Sequence, residues 1–108
     1  MAVQFTHVAR VADVPVGEAR VFEVAGVRLA LCNAEGAIYA IADACTHDDG
    51  PLGEGHLDGH AIECPRHGAR FDVRSGAVTR MPAAFPVRSY PVRVENGEIA
   101  VDLGVGAV

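Results

Sequence analysis

Short alternations of apolar and polar residues, broken by turn residues roughly every ten positions, run through most of the chain and predict strands rather than helices. Arg20-Val21-Phe22-Glu23-Val24 and Val27-Arg28-Leu29-Ala30-Leu31-Cys32 are β-favouring runs separated by Ala25-Gly26, which predicts a hairpin. Ile38-Tyr39-Ala40-Ile41 follows a turn at Ala34-Glu35-Gly36. Near the end, Val92-Arg93-Val94-Glu95 and Ile99-Ala100-Val101-Asp102 flank Asn96-Gly97, the strongest short-range hairpin signal that a sequence offers. No segment carries a useful apolar stripe at helical spacing, so the predicted class is all-β.

Two stretches break this pattern. From Asp43 to His60 the residues are mostly Gly, Asp, His and Pro, which pack poorly and predict a long loop. Long loops inside compact domains usually carry function. Arg80-Met81-Pro82-Ala83-Ala84-Phe85-Pro86 holds two prolines, resists strand and helix alike, and is predicted as a stiff loop.

Composition narrows the choice of function. The 108 residues make one domain, 1–108, with room for a single site. The formal charge is −5, from fourteen acids against nine bases, and every base is Arg. An acidic balance argues against nucleic acid and anionic membranes as partners, and the missing Lys removes Schiff-base chemistry. No apolar run approaches the ~20 residues of a membrane helix, and the first ten residues lack the apolar core of a secretory signal, so the expected location is the cytoplasm. Three cysteines are an odd number for a disulfide framework, which leaves metal binding or burial as their role.

Position decides between those roles. Cys45-Thr46-His47 and Cys64-Pro65-Arg66-His67 stand sixteen residues apart, and each pair offers one thiolate and one imidazole. A zinc finger instead takes two Cys from a knuckle and two His from a helix, although the same four ligand types would also suit a structural zinc ion.

Read on through Gly68-Ala69-Arg70-Phe71-Asp72, the two pairs resemble the cluster-binding box of the Rieske family. The likeness extends to the strand and turn pattern on both sides and to the proline loop at Pro82 to Pro86. It implies an antiparallel β-sandwich-like base with a small cluster-binding subdomain inserted at about 43–80. It also implies one [2Fe–2S] cluster, with Cys45 and Cys64 on the inner iron and His47 and His67 on the outer iron nearer solvent. Two thiolates and two neutral imidazoles leave the oxidised core neutral, where four thiolates leave it doubly negative. Such centres therefore span roughly −150 to +300 mV, against roughly −400 mV for plant-type ferredoxins.

The resemblance also suggests a place within that range. High-potential members carry an extra Cys in each loop, joined as a disulfide, and a Ser and a Tyr whose hydroxyls donate to cluster sulfur. The matching positions here are Gly50, Arg66, Ala69 and Phe71, which implies a potential at the low end. A Rieske box filling the chain leaves no room for the mononuclear iron domain of an oxygenase, so no catalytic residue is expected. The implied role is an electron carrier similar to the ferredoxin components of bacterial ring-hydroxylating dioxygenases. It would take single electrons from a flavin-dependent ferredoxin reductase to a terminal oxygenase. The alternative is a small Rieske subunit of an NADH-dependent nitrite reductase, and a zinc-stabilised interaction module is a third reading.

The other candidate ligands read as ordinary residues. Cys32 ends an apolar run and is expected in the core. His7, His56 and His60 lack ligand spacing. Charge is uneven: Asp43 to Glu63 holds six acids and no Arg, whereas Cys64 to Arg93 holds six Arg and one acid. This division fits either two solvated loops or a mixed-sign surface that selects a partner. The expected docking patch centres on His47 and His67, flanked by Asp48, Asp49, Arg66 and the Pro82 to Pro86 loop.

Overall fold

A computed structural model describes residues 4–44, 50–81, 83 and 85–104. Its middle layer is a four-stranded antiparallel sheet in the order β2-β3-β4-β9, from β2 (Ala19–Val24), β3 (Val27–Ala34), β4 (Ala37–Ala42) and β9 (Ser89–Tyr90). On one side lies a three-stranded sheet, β1-β11-β10, from β1 (Thr6–Arg10), β10 (Val92–Glu95) and β11 (Glu98–Val101). On the other lies a third sheet, β5-β6-β7-β8, from β5 (His56–Asp58), β6 (Ala61–Glu63), β7 (Arg70–Asp72) and β8 (Val78–Arg80). Single 3₁₀ turns, η1 (Val11–Asp13) and η2 (Leu52–Glu54), follow β1 and precede β5.

The predicted hairpins form where the turn residues call for them. Val24 pairs with Val27, Ala34 with Ala37 and Glu95 with Glu98, so each connection has two residues. Ala25-Gly26, Glu35-Gly36 and Asn96-Gly97 all adopt positive φ at both positions, 52° and 80°, 57° and 97°, 53° and 77°. Two-residue type I′ turns require that conformation, because it matches the twist of the flanking strands. The same geometry starts β11 at Glu98, one residue before the apolar pattern suggested.

Alternation along β3 divides the core. Leu29 and Leu31, with Ala40 of β4, pack with Ala9, Val14, Ile99, Val101 and Leu103 on the side of the three-stranded sheet. Ala30, Cys32 and Ala34, with Ile41, pack with Leu52, Leu57, Ile62 and Phe71 on the side of the third sheet. Leu29 to Ala34 are consequently six buried residues in succession, as a strand covered on both faces must be. The residues that β3 turns toward the third sheet are small, which leaves room for the fully buried Phe71. Burying a side chain of that size stabilises by about 1.5–3 kcal/mol relative to leaving it exposed. Asn33, buried at the edge of this layer, is satisfied: its amide donates to the Val14 carbonyl at 2.8 Å and its oxygen accepts from Gly36 N–H at 3.0 Å.

The stretch from Asp43 to His60 is not the continuous loop that its composition predicts, because η2 and β5 interrupt it. Leu52 and Leu57 anchor them in the core, 0% and 8% exposed. Two apolar residues among so many Gly and Asp are too sparse to register as a pattern, yet they suffice to fix the segment. Beyond Arg80 the described residues of the proline stretch hold no strand or helix, as expected.

Candidate metal centre

The second candidate pair, Cys64 and His67, lies in the connection between β6 and β7. Cys64 N–H donates to the Ala69 carbonyl at 2.7 Å, and Gly68 N–H donates to the Cys64 carbonyl at 3.1 Å, which folds residues 64–69 into a tight knuckle. Gly68 has φ 78°, and a Cβ there would meet nothing, so backbone conformation alone selects glycine. The knuckle divides its residues. Cys64 is 1% exposed and packs in the cluster that holds Ala69 and Phe71, whereas Pro65, Arg66 and His67 are exposed. At its base, Arg70 Nε donates to Glu63 Oε1 at 2.9 Å across the last strand pair.

Cys45 and His47 of the first pair lie outside the described residues, as do Asp48 and Asp49. Both ends of their segment are well fixed. Ala42 N–H donates to the Arg88 carbonyl at 2.9 Å. The Asp43 carboxylate, fully buried, accepts from the Arg28 guanidinium at 2.8 Å and from Gly53 N–H at 2.7 Å. The Asp43 hydrogen bond and charge in turn raise the Arg28 pKa above its ordinary value.

A third segment packs in the same buried cluster as Cys64. Val87 N–H donates to the Gly76 carbonyl at 2.9 Å, and Val87 and Ala83 are buried. Met81 and Phe85 are turned outward instead, 81% and 68% exposed. Pro82 lies outside the described residues.

The histidines set aside from ligation stand elsewhere. His7 bonds Glu98 at 2.6 Å on the three-stranded sheet, His56 is exposed on β5, and His60 meets Tyr39 edge-on at 6.0 Å between centroids. Cys32 is fully buried, and burial pushes its thiol pKa up to about 12, the state of an inert core thiol. Among the described residues no group of three or more His, Cys, Asp or Glu could hold a metal ion.

Acids and arginines that are segregated along the sequence interleave in space. Arg70 reaches Asp58 at 3.3 Å as well as Glu63, Arg80 lies 3.5 Å from Glu63, and Arg74 pairs with Asp72 at 2.8 Å. The hydrogen bond from the Arg74 side chain holds the Asp72 carboxyl below the usual carboxylate range. Sequence reasoning missed the bonds among Arg28, Asp43 and Gly53 on either side of the first candidate pair. Their nearest signal is the nearness of Asp43 to Cys45, which carries no spacing rule of its own.

A buried thiol three residues from an exposed imidazole is half of a mixed donor set with a dry side and a wet side. That chemistry fits a cluster with thiolates on an inner iron and imidazoles on an outer one. Residues 4–91 match the family model of the Rieske [2Fe–2S] domain, and the chain belongs to that family, whose cofactor is a [2Fe–2S] cluster. It is 45% identical over 94 residues to the 3-phenylpropionate/cinnamic acid dioxygenase ferredoxin subunit of Escherichia coli (strain K12), covering 86% of this chain and 88% of that protein. Its fold is similar to the ferredoxin of carbazole 1,9a-dioxygenase from Nocardioides aromaticivorans IC177, with a TM-score of 0.86, 36% identity and coverage of 91% and 96% of the two chains. It is also similar to a chain in a complex of reduced oxygenase and oxidized ferredoxin in carbazole 1,9a-dioxygenase, with a TM-score of 0.86, 34% identity and 94% of each chain covered.

Proposed function

We propose that this protein is the ferredoxin component of a multicomponent oxygenase system, carrying single electrons from a flavin-dependent ferredoxin reductase to a terminal oxygenase. Cys45, His47, Cys64 and His67 hold one cluster per chain, on a subdomain of about residues 43–80 inserted in the β base. The observation that carries this reading is the knuckle with Cys64 buried and His67 exposed. The relatives' description as dioxygenase ferredoxins supports it. Among the described residues no helix is long and apolar enough to cross a membrane, and the cytoplasm is the proposed location.

The cluster, when bound, takes up and gives back one electron. The chain's own residues set how that electron is reached. Burial of Cys64 beneath the knuckle keeps water from the thiolate side, while the exposed His67 imidazole offers a partner the short approach. Exposed Pro65 and Arg66 flank it in the knuckle, and Met81, Phe85 and Pro86 are exposed in the proline stretch, so the proposed docking surface is partly apolar with charge beside it. A carrier that must leave its partner quickly needs a small contact in which charges steer approach more than they hold. Ala69 and Phe71, both fully buried in the packing around Cys64, have no side-chain donor to offer cluster sulfur. Their composition supports a potential at the low end of the Rieske range.

The test is metal and sulfide analysis together with electron delivery. The purified protein is expected to contain iron and acid-labile sulfide in equal amounts, and in its reduced form to support turnover of a ring-hydroxylating oxygenase. His67→Ala and Cys45→Ala should lose the visible spectrum, whereas Cys32→Ala should keep it. Bound zinc without sulfide, or an unaltered spectrum in His67→Ala, would refute the assignment.

A further inference from the structure

We infer that Asp43 is a positioning residue for the cluster, acting through Arg28 and Gly53 to set the first ligand segment in register with Cys64. The inference rests on the reading that Cys45 and His47 are ligands, since residues 44–52 are the span that Asp43 and Gly53 bracket.

Asp43 is one of only two polar or charged residues among the buried described ones. A carboxylate without exposure is costly unless it is paired and hydrogen-bonded, and Asp43 is both. Its Oδ2 accepts from the Arg28 guanidinium at 2.8 Å and its Oδ1 from Gly53 N–H at 2.7 Å. Arg28 also holds the main chain, because Asp43 N–H donates to its carbonyl at 3.2 Å. Thus β3 grips the entry of the ligand segment twice, and the same carboxylate grips its exit.

The exit is built for close approach. A Cβ on Gly53 would overlap Val21 Cγ2 and crowd both Ala30 and the Asp43 carboxylate. Two residues on, a Cβ on Gly55 would overlap the carbonyl oxygen of Glu63, the residue before Cys64. Residues 53–55 are therefore packed between Asp43 on one side and the base of the Cys64 knuckle on the other. Leu52, fully buried, pins the same turn from beneath. A chain of direct contacts runs from Arg28 through Asp43 and Gly53 to Gly55 and Glu63. It links the residues on either side of the first candidate pair to the residue before Cys64 without passing through a candidate ligand. Asn33 is the other buried polar residue, and its bonds to Val14 and Gly36 lie outside that chain of contacts.

Three variants of the cluster-loaded protein test this: Asp43→Ala, Arg28→Gln and Asn33→Ala. The readouts are the rate of cluster loss to an iron chelator, the EPR g-values of the reduced protein and the urea midpoint. Asp43→Ala should release the cluster at least about tenfold faster than the parent with altered g-values, the scale seen when outer supports of a metal site are removed. Arg28→Gln leaves the bond to Gly53 in place, so it should shift both readouts in the same direction by less, and it covers the case in which Asp43→Ala fails to fold. Asn33→Ala should lower the urea midpoint while keeping parental g-values and, below that midpoint, a parental rate of loss. Parental rates and g-values in both Asp43→Ala and Arg28→Gln would overturn the inference, and so would Asn33→Ala matching Asp43→Ala in both. An intact spectrum in Cys45→Ala would instead overturn the ligand assignment beneath it.

Discussion

β3 runs for eight residues with six buried in succession, whereas every strand of the third sheet is three residues long and buries one residue toward the core, apart from β8, which buries none. The base closes its hairpins with two-residue turns and fills the space between its sheets with Leu, Ile and Val. Strands of three residues make few ladder bonds, and such a sheet is marginal alone. Its inner face borrows stability by laying Leu57, Ile62 and Phe71 on β3. On its outer face Arg70 links Glu63 and Asp58, and Arg80 approaches Glu63. Glycines at 55 and 76 let backbone meet backbone where a side chain would not fit. The base is thus held by repetition of a pattern, and the third sheet by individual contacts whose loss nothing nearby replaces.

Removing the metal is the strongest way to break that contrast. If Cys64 and His67 hold the cluster as proposed, the third sheet, which carries their knuckle between β6 and β7, should lose most when the cluster is stripped, because metal binding and local folding are coupled. Amide exchange in β6 and β7 is expected to rise by roughly a hundredfold, equivalent to about 3 kcal/mol of local protection, while the amides of β3 change little. Exchange that rises equally in both regions would show that they unfold as one unit.

Glycine substitutions compare the regions at single positions. Gly55 has φ −82°, accessible to any residue, so Gly55→Ala should act through overlap with the Glu63 carbonyl alone. Backbone must move to relieve that overlap, and a loss of about 2–4 kcal/mol is expected. Gly26 has φ 80° and open space where a Cβ would stand, so Gly26→Ala carries only the cost of left-handed backbone, about 1–2 kcal/mol. Urea unfolding of both variants measures the difference. Equal losses would mean that the exit of the first ligand segment relaxes more readily than its packing suggests.

The same contrast explains which parts of the molecule were legible in its sequence. Val21, Leu29, Leu31, Ile41 and Ile99 repeat at strand spacing, and Asn96-Gly97 names its own turn, so the base and its hairpins follow from local rules. Cys64 and His67 stood out as candidates because ligand chemistry demands particular atoms at short spacing. β5 to β8 were not, since three residues are too few to display a period. The role of Asp43 depends on Arg28 and Gly53, fifteen and ten positions away, and it emerges only when the fold brings them together. The charge pattern needed the fold for a related reason. The run of acids before Cys64 and the run of Arg after it fitted either two solvated loops or a mixed-sign surface, and antiparallel pairing of β5, β6, β7 and β8 sets Asp58 and Glu63 beside Arg70 and Arg80.

The smallest expected effect comes from that paired charge. Arg70 stands opposite Glu63 on β6 and opposite Arg80 on β8, so a like charge and an unlike charge flank it in the sheet. Glu63 accepts from Arg70 at 2.9 Å and lies 3.5 Å from Arg80, which lets one carboxylate offset two guanidiniums. Hydrogen bonding to Glu63 is the main reason that the Arg70 pKa lies above its ordinary value. The network nevertheless faces solvent on its Asp58 and Arg80 sides, where ion pairs are weak and screened. Arg70→Gln should therefore lower the urea midpoint slightly at low salt, and the difference should nearly vanish at about 1 M salt, where the screening length is about 3 Å. The visible spectrum should be unchanged, because the knuckle keeps its two backbone bonds between Cys64, Gly68 and Ala69. A salt-independent loss of stability would mean that Arg70 acts through packing of its stem against the sheet rather than through charge. Loss of the spectrum would mean that the Glu63 and Arg70 pair fixes the second ligand segment as Asp43 fixes the first.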